Sequence, residues 1–289
     1  MRKHFMLFAA FAAALILFCG CVSDETLTVA DISISELESK MEQAMDPDGA
    51  FRKADSYVQR EMLKVEGLFV DSIYQIDLKY KKPHFFKLTT FEKNEPVSAV
   101  IFNAGSAWKV DYVGKHVHEI TGADLVRINV LHKLTTPTEK YSKLFKDIVV
   151  YNCTVKDDPV KYYKIVCNPK DKENSISIYV NAQDFRPSRI NADLSLVIES
   201  KKIEFEYDSF IEAYEKMDNV VIPQKSTAVS SGVTSTTTVF DYKLNVDIPD
   251  SEFLPPVFVE NKLRDRMDRF YNKNKNSRGF GRKRNFEDK

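Results

Sequence analysis

The residues of this 289-residue chain best suited to chemistry are its four cysteines and five histidines. Cys153 and Cys167 sit in two strand-like runs, Val149-Val-Tyr-Asn-Cys-Thr-Val and Tyr162-Tyr-Lys-Ile-Val-Cys, separated by Lys156-Asp-Asp-Pro-Val. A hairpin centred near Val160 sets the two thiols opposite each other. In an oxidising compartment they then form a cross-strand disulfide, closing a loop of ~15 residues and contributing ~3 kcal/mol on the chain-entropy account. Two buried free thiols are the other reading. Their spacing matches neither a metal nor a redox motif. His116 and His118, two apart on a strand, face one side and offer two metal ligands with no evident acidic or cysteine partner. No nucleophile elbow, His-Glu-x-x-His helix, phosphate loop or dinucleotide fingerprint occurs. The expectation is a protein that is not an enzyme, with no cofactor and no metal.

Cys21 suggests a different chemistry. Met1-Arg-Lys-His is followed by an apolar run from Phe5 to Phe18 and then by Cys19-Gly20-Cys21. A basic head and an apolar run of about 14 residues make an export signal too short to span ~30 Å of hydrocarbon. Val22-Ser-Asp-Glu-Thr beyond it is polar, so no stop-transfer segment follows. Gly20 before Cys21 fits a lipobox, in which a small residue precedes the acylated cysteine; Phe18 stands where leucine is preferred. The reading is a lipoprotein signal peptide over 1–20 and lipidation (palmitate) at Cys21, with a plain secretory signal as the alternative. Two or more acyl chains, at ~0.8 kcal/mol per buried methylene, make a stable anchor. Val22 is not the aspartate that retains lipoproteins in the inner membrane, so a periplasm-facing anchor in the outer membrane is expected.

Lys and Arg number 42, as do Asp and Glu, so nucleic acid is not an expected partner. The balance conceals an asymmetry. Residues 261–289 carry eleven Lys/Arg against four Asp/Glu, leaving the body acidic. Arg264, Arg266, Arg269, Lys273, Lys275, Arg278, Arg282, Lys283 and Arg284 can draw this tail to an anionic membrane surface, each contributing ~1 kcal/mol near it. A solvated end is the other reading, since 272–289 has the composition of a disordered segment. At 43% hydrophobic and 12% aromatic, the 269 residues after the signal can bury a substantial core.

The elements that must position these groups follow from periodicity. Leu37, Met41 and Met45 line one face of a helix over 34–45, and 21–47 is read as tether and helix. Pro47 and Gly49 break it. Asp48 is expected to cap a second helix through about Met62, with Ala50, Ala54, Tyr57, Val58 and Met62 as its stripe. The period then changes to two: Tyr74, Ile76, Leu78 and Tyr80 point one way, Gln75, Asp77 and Lys79 the other. Strands are expected from 72–80 to 115–120 with short turns, then a helical interlude over 121–147 capped by Thr136 or Thr138 and burying Tyr141, Leu144 and Phe145. Further strands run from 148 to 246. The fold class is α+β: a large, strongly curved antiparallel sheet of about 11 strands, with helices covering its concave face.

From Asp48 to Pro255 the order of features resembles the outer-membrane lipoprotein-sorting family of LolA/LolB-type carriers. Lys82-Pro-His-Phe-Phe-Lys-Leu88 matches its proline and aromatic-basic strand. Phe102-Asn-Ala-Gly-Ser-Ala-Trp-Lys-Val-Asp-Tyr112 matches its glycine turn and Trp/Tyr strand. Ile178-Tyr-Val-Asn-Ala-Gln-Asp-Phe-Arg-Pro187, Ile222-Pro-Gln and Asn245-Val-Asp-Ile-Pro-Asp-Ser-Glu-Phe253-Leu-Pro255 follow in order. The resemblance implies an unclosed β-barrel over 48–256 that holds lipid in an apolar cavity, followed by a basic helix and tail over 257–289. Soluble carriers lack an acyl anchor, so a lipobox suits the membrane-bound acceptor type. The 121–147 segment and the tail have no counterpart in the family.

A lipid site needs apolar, aromatic walls rather than a reactive group. Tyr74, Ile76, Leu78, Phe86, Leu88, Ile101, Trp108, Val110, Ile176, Ile178, Ile203 and Phe205 are the expected lining for a lipid or the acyl chain of a lipoprotein. The same side chains could instead fill an ordinary core, leaving an envelope sensor or scaffold whose partner is a protein.

Overall fold

The fold comes from a computed structural model, which describes residues 24–67, 70–122, 124–125, 128–129, 140–168, 175–198 and 201–258, the side chains of 70, 193–198 and 201–206 excepted. The chain up to Pro255 forms one compact unit, and Pro256–Lys289 is a second. The expected signal, Cys21 and the basic tail lie outside the described residues.

Among the described residues there are fourteen strands in one antiparallel sheet: β1 (Glu25–Val29), β2 (Ser56–Gly67), β3 (Val70–Lys81), β4 (Phe85–Glu92), β5 (Glu95–Asn103), β6 (Ser106–Asp111), β7 (His116–Ile120), β8 (Ile148–Val155), β9 (Lys161–Cys167), β10 (Ile176–Asn181), β11 (Pro187–Ile198), β12 (Lys201–Met217), β13 (Val220–Ser230) and β14 (Val233–Leu244). Their spatial order is β1-β8-β9-β10-β11-β12-β13-β14-β2-β3-β4-β5-β6-β7. The end strands β1 and β7 do not pair, so the barrel is unclosed. Most neighbours are consecutive hairpins, as short turns require. Lys93-Asn94 and Asp218-Asn219 both adopt positive φ, the primed turn whose twist matches two right-twisted strands. Register shifts near Val239–Asp241 and Ile211–Tyr214 bend the long strands.

Helix α1 (Ile34–Met45) forms as expected. Ser33 Oγ accepts the Glu36 N–H at 3.2 Å, and Leu37 and Met41 turn inward. It contacts both β8 and β13, strands five places apart in the sheet, which only a sheet curled around the helix allows. The buried Glu38 carboxylate accepts from the Ser142 N–H (2.9 Å) and Oγ (2.7 Å), tying α1 to the single turn α3 (Tyr141–Leu144). Of the expected 121–147 helical stretch, this turn and parts of 122–129 are described; Thr136 and Thr138 fall outside.

The expected second helix is corrected. The four-residue helix α2 (Ala50–Lys53) is capped by Asp46, not Asp48: its carboxylate accepts the N–H of Phe51 and Arg52 at 3.1 and 3.0 Å. From Ser56 the chain is strand. β2 pairs with β3 along its whole length and with β14 on its other side, so tertiary hydrogen bonding overrides a helical spacing of apolar residues. β1, which has no clear period in sequence, and β2 are the two of the fourteen strands that fall outside the expected strand segments.

Two apolar clusters occupy the concave side. One joins Tyr57, Tyr80, Phe86, Phe102, Val239 and Tyr242, with Phe51 of α2, Leu125 and Ile128 packed against it. The other joins Leu37 and Met41 of α1 to Val150, Ile165, Ile178 and Val180. On the convex side a 3-10 turn (Asp250–Phe253) lies against β4 and β5. There Phe253 is fully buried beside Phe85, and Asn103 Nδ2 donates to its carbonyl at 3.4 Å.

Candidate functional site

Directly paired residues of an antiparallel sheet share a face, so the register sorts every side chain of the wall. Reading across β2 to β7, one concave row is Tyr57, Tyr80, Phe86, Phe102, Ala107 and Ile120. Two residues along, about 6.8 Å away, the row is Gln59, Leu78, Leu88, Val100, Lys109 and His118. The third is Glu61, Ile76, Thr90, Ser98, Asp111 and His116. The wall therefore grades along the strands from aromatic to aliphatic to polar.

The first row is anchored by stacked rings: Tyr57 lies 5.2 Å from Tyr80 and 5.7 Å from Tyr242, with Phe51 at 5.6 Å. Glu61 and Lys109, in the other rows, report a dry surrounding. Burial pushes the Glu61 carboxyl up, against a 2.8 Å hydrogen bond from Gln59 Nε2 that favours its charged form. Burial pushes the Lys109 ammonium down, against the attraction of Asp111. An acid shifted up and a base shifted down on one wall have a common cause, the loss of water.

Of the expected lining, Tyr74, Ile76, Leu78 and Phe86 are buried on this wall, and Leu88 is half-buried beside them. Ile178 is buried and Ile176 half-buried on the same face of the sheet, inside the cluster sealed by α1. Ile203 and Phe205 pair with Leu196 and Leu194, but their side chains lie outside the described residues. Ile101, Trp108 and Val110 are corrected. Ile101 pairs with Lys87 and Trp108, and Val110 with Ala99, so all three stand on the convex face, where the 3-10 turn lies against β4 and β5. The apolar run Ala99-Val-Ile-Phe102 conceals its own parity because both faces of β5 are buried. Tyr57, Tyr80, Phe102 and Tyr242 are among the wall residues that the expected lining left out. Tyr57 was assigned to a helix, and a bulge next to Asp241 shifts the parity of Tyr242.

The expected disulfide is also corrected. Asp157 takes a positive φ and Asp158 Oδ1 accepts the Val160 N–H at 2.9 Å, so the β8–β9 turn closes earlier than Val160. Cys153 then pairs with Tyr162 and Cys167 with Ile148. The five-residue offset is about 17 Å along the strand, far beyond the ~7 Å Cα limit of a disulfide. Both are buried free thiols on opposite faces, and burial pushes Cys167 up to about 12. Cys153 adjoins a convex-face hub at Glu25, which accepts from Lys164 Nζ (2.6 Å) and Tyr179 OH (2.7 Å) and so ties β1 across β8 to β9 and β10. Arg189 pairs bidentately with Asp208 nearby, at 2.7 and 2.8 Å.

His116 and His118 are exposed, with rings 6.0 Å apart. Among the described residues no three His, Cys, Asp or Glu side chains gather as metal ligands, and no helix is long and apolar enough to cross a membrane.

No protein-family model and no curated protein matches the sequence. Solved structures do match in fold. A LolA superfamily protein from Nitrosomonas europaea superposes with a TM-score of 0.51 at 14% identity, covering 78% of this chain and 98% of its own. A DUF1329 family protein from Desulfovibrio piger gives 0.53 at 11% identity, covering 76% and 95%. A putative outer membrane lipoprotein-sorting protein domain from Vibrio parahaemolyticus gives 0.48 at 10% identity, covering 75% and 94%. The chain has the LolA-like fold.

Proposed function

We propose that this chain is a membrane-anchored envelope lipoprotein that takes a lipid, or the acyl chain of a lipoprotein, on the concave wall of its open barrel. The observation that carries the reading is the wall itself. Tyr57, Leu78, Tyr80, Phe86 and Phe102 line one curved apolar face, and the acid and base set into it are both shifted by loss of water. Such a surface suits a methylene chain, which asks for no hydrogen-bond partners. The LolA-like fold supports binding rather than catalysis, and an envelope location. Acylation at Cys21, a periplasm-facing body and the outer membrane rest on the lipobox and on Val22; the attraction of the basic tail to anionic lipid rests on its composition.

The test is native mass spectrometry of the gently extracted protein, with titration of a fluorescent fatty acid. Co-purifying lipid and saturable binding are expected, both lost in Leu78→Trp while Leu78→Met retains them. A wild-type protein that stays empty, and whose cross-linked partner in cells is unaffected by Leu78→Trp, overturns the carrier reading in favour of the protein-binding scaffold. Labelled palmitate incorporated by the wild type but not by Cys21→Ser checks the anchor.

A further inference from the structure

The first strand begins close behind the expected lipidation site. Asp24 lies three residues beyond Cys21, and a chain extends at most ~3.6 Å per residue, so the two are within about 11 Å. Asp24 is itself held. Its carbonyl accepts the Lys156 N–H at 3.0 Å and its carboxylate meets Lys156 Nζ at 3.3 Å, in the β8–β9 turn. Glu25, next along the chain, accepts from Lys164 Nζ and Tyr179 OH, so β1 is secured at its first residue. Little slack separates Cys21 from the sheet. Because neighbouring strands alternate in direction, the end where β1 starts also carries the turns at 156–160, 182–186, 218–219, 82–84 and 104–105. The turns at 93–94, 112–115 and 231–232 close the opposite end. The chain leaves the sheet at the first of these ends. Asn103, the last residue of β5, donates to the Phe253 carbonyl, and Leu254 just beyond is exposed. The basic 257–289 segment starts three residues later.

Resting on the reading of Cys21 as acylated, we infer that the sheet stands end-on upon an anionic lipid surface. The 156–160 and 104–105 turns face the headgroups, and the 93–94, 112–115 and 231–232 turns point away. A single tether lets a body roll on its anchor. Here a short covalent tether and a basic segment leave one end of the sheet from β1 and from beside β5, eleven places apart in the strand order, and together they resist rolling. The tail contributes through charge, at ~1 kcal/mol for each Lys or Arg near the surface; the tether contributes through its shortness. The row of Tyr57, Tyr80, Phe86 and Phe102 then lies toward the lipid, and the row of Thr90, Ser98, Asp111 and His116 toward water.

The experiment places one fluorophore on the acylated, otherwise intact chain through Pro159→Cys, Ala104→Cys or Ser231→Cys, the native Cys153 and Cys167 being buried. Each protein is bound to vesicles of phosphatidylcholine and phosphatidylglycerol that carry an energy-transfer acceptor on their headgroups. Val220–Ser230 spans about 34 Å of strand, so labels at Pro159 and Ala104 are expected to transfer several-fold more than one at Ser231. About twenty Gly/Ser residues inserted between Ser23 and Asp24, a coil of ~25 Å, should lower the Pro159 signal. High salt should lower the Ala104 signal by screening the tail. Equal transfer from the three positions, or strongest transfer from Ser231, overturns the inference and leaves the anchored reading standing. A Cys21→Ser protein that floats with the vesicles at high salt as well as the wild type does overturns both.

Discussion

Ile101 and Phe102 are neighbours in β5 and equally buried, yet they lie on opposite faces for different reasons. Ile101 belongs to the convex face with Ala99 and Val110, closed by the chain's own 3-10 turn. Every charge described at that turn has a protein partner: Lys79 meets Glu252 at 2.8 Å, Lys81 meets Asp250 at 2.6 Å and Lys87 meets Glu252 at 3.4 Å. Phe102 belongs to the concave face, where burial dominates the shifts of both Glu61 and Lys109. Both faces are covered by the chain's own residues, the convex one by the 3-10 turn against β4 and β5 and the concave one by Phe51, Leu125 and Ile128. Burial alone does not distinguish them; the treatment of charge does.

The comparison is sharpened most by Ile101→Ala. Emptying a fully buried site should cost about 2–5 kcal/mol, read as a lower urea midpoint at unchanged slope, while dodecanoate affinity per folded molecule stays constant. Lost affinity in the folded variant would break the division between faces. Glu61→Gln comes next, with the opposite sign. The folded carboxyl titrates above its ordinary 4.5, so folding is penalised as pH rises from that value through the raised one, where an ionised group must sit in the wall. The variant should gain stability at pH 8 relative to pH 4 by about 1 kcal/mol, the common scale of one substitution; an unchanged pH slope would mean that the wall is wet. Glu252→Gln should do less. Lys79 and then Lys87 hold this carboxyl below its ordinary 4.5, so its contribution is present above that value and is lost as pH falls through the depressed one. The group is about a third exposed (36%), and solvent limits the effect to about 0.5 kcal/mol. Last, alkylation of the unfolded, unreduced chain should add one label at Cys153 and one at Cys167; failure to label would restore the cross-strand bond.

Much of this architecture was legible in the sequence because period and punctuation are local. The alternation through Tyr74, Ile76, Leu78 and Tyr80 names one face of β3, and Asn94, Gly105 and Gly232 mark turns that the structure places there. The Leu37–Met41 spacing marks α1 in the same way. What was not legible depends on partners distant in the chain. Tyr57, Val58 and Met62 fit a helical stripe until β14 and β3 are known to flank them. Trp108 and Val110 alternate as a wall would, but their pairing with Ile101 and Ala99 puts them on the convex face, the side on which Phe253, far along the chain, meets Phe85. The cysteines missed each other because one aspartate in a left-handed conformation moved a turn by a few residues. A hairpin register follows from such details, which composition does not carry.

The seam between β2 and β14 has a temporal meaning as well. It sets Tyr57 against Leu244 and Glu66 against Thr234, joining segments from opposite ends of the body. Pairings of such long range are slow to form, and until they do β2 offers a bare edge of twelve residues that neighbouring chains can zip onto. The ring stack at Tyr57 stays incomplete in a nascent or truncated chain, because Tyr242 joins Tyr57 only when the last strand arrives. The wall is therefore complete only once its final strand has docked, and the chain is vulnerable to aggregation until then.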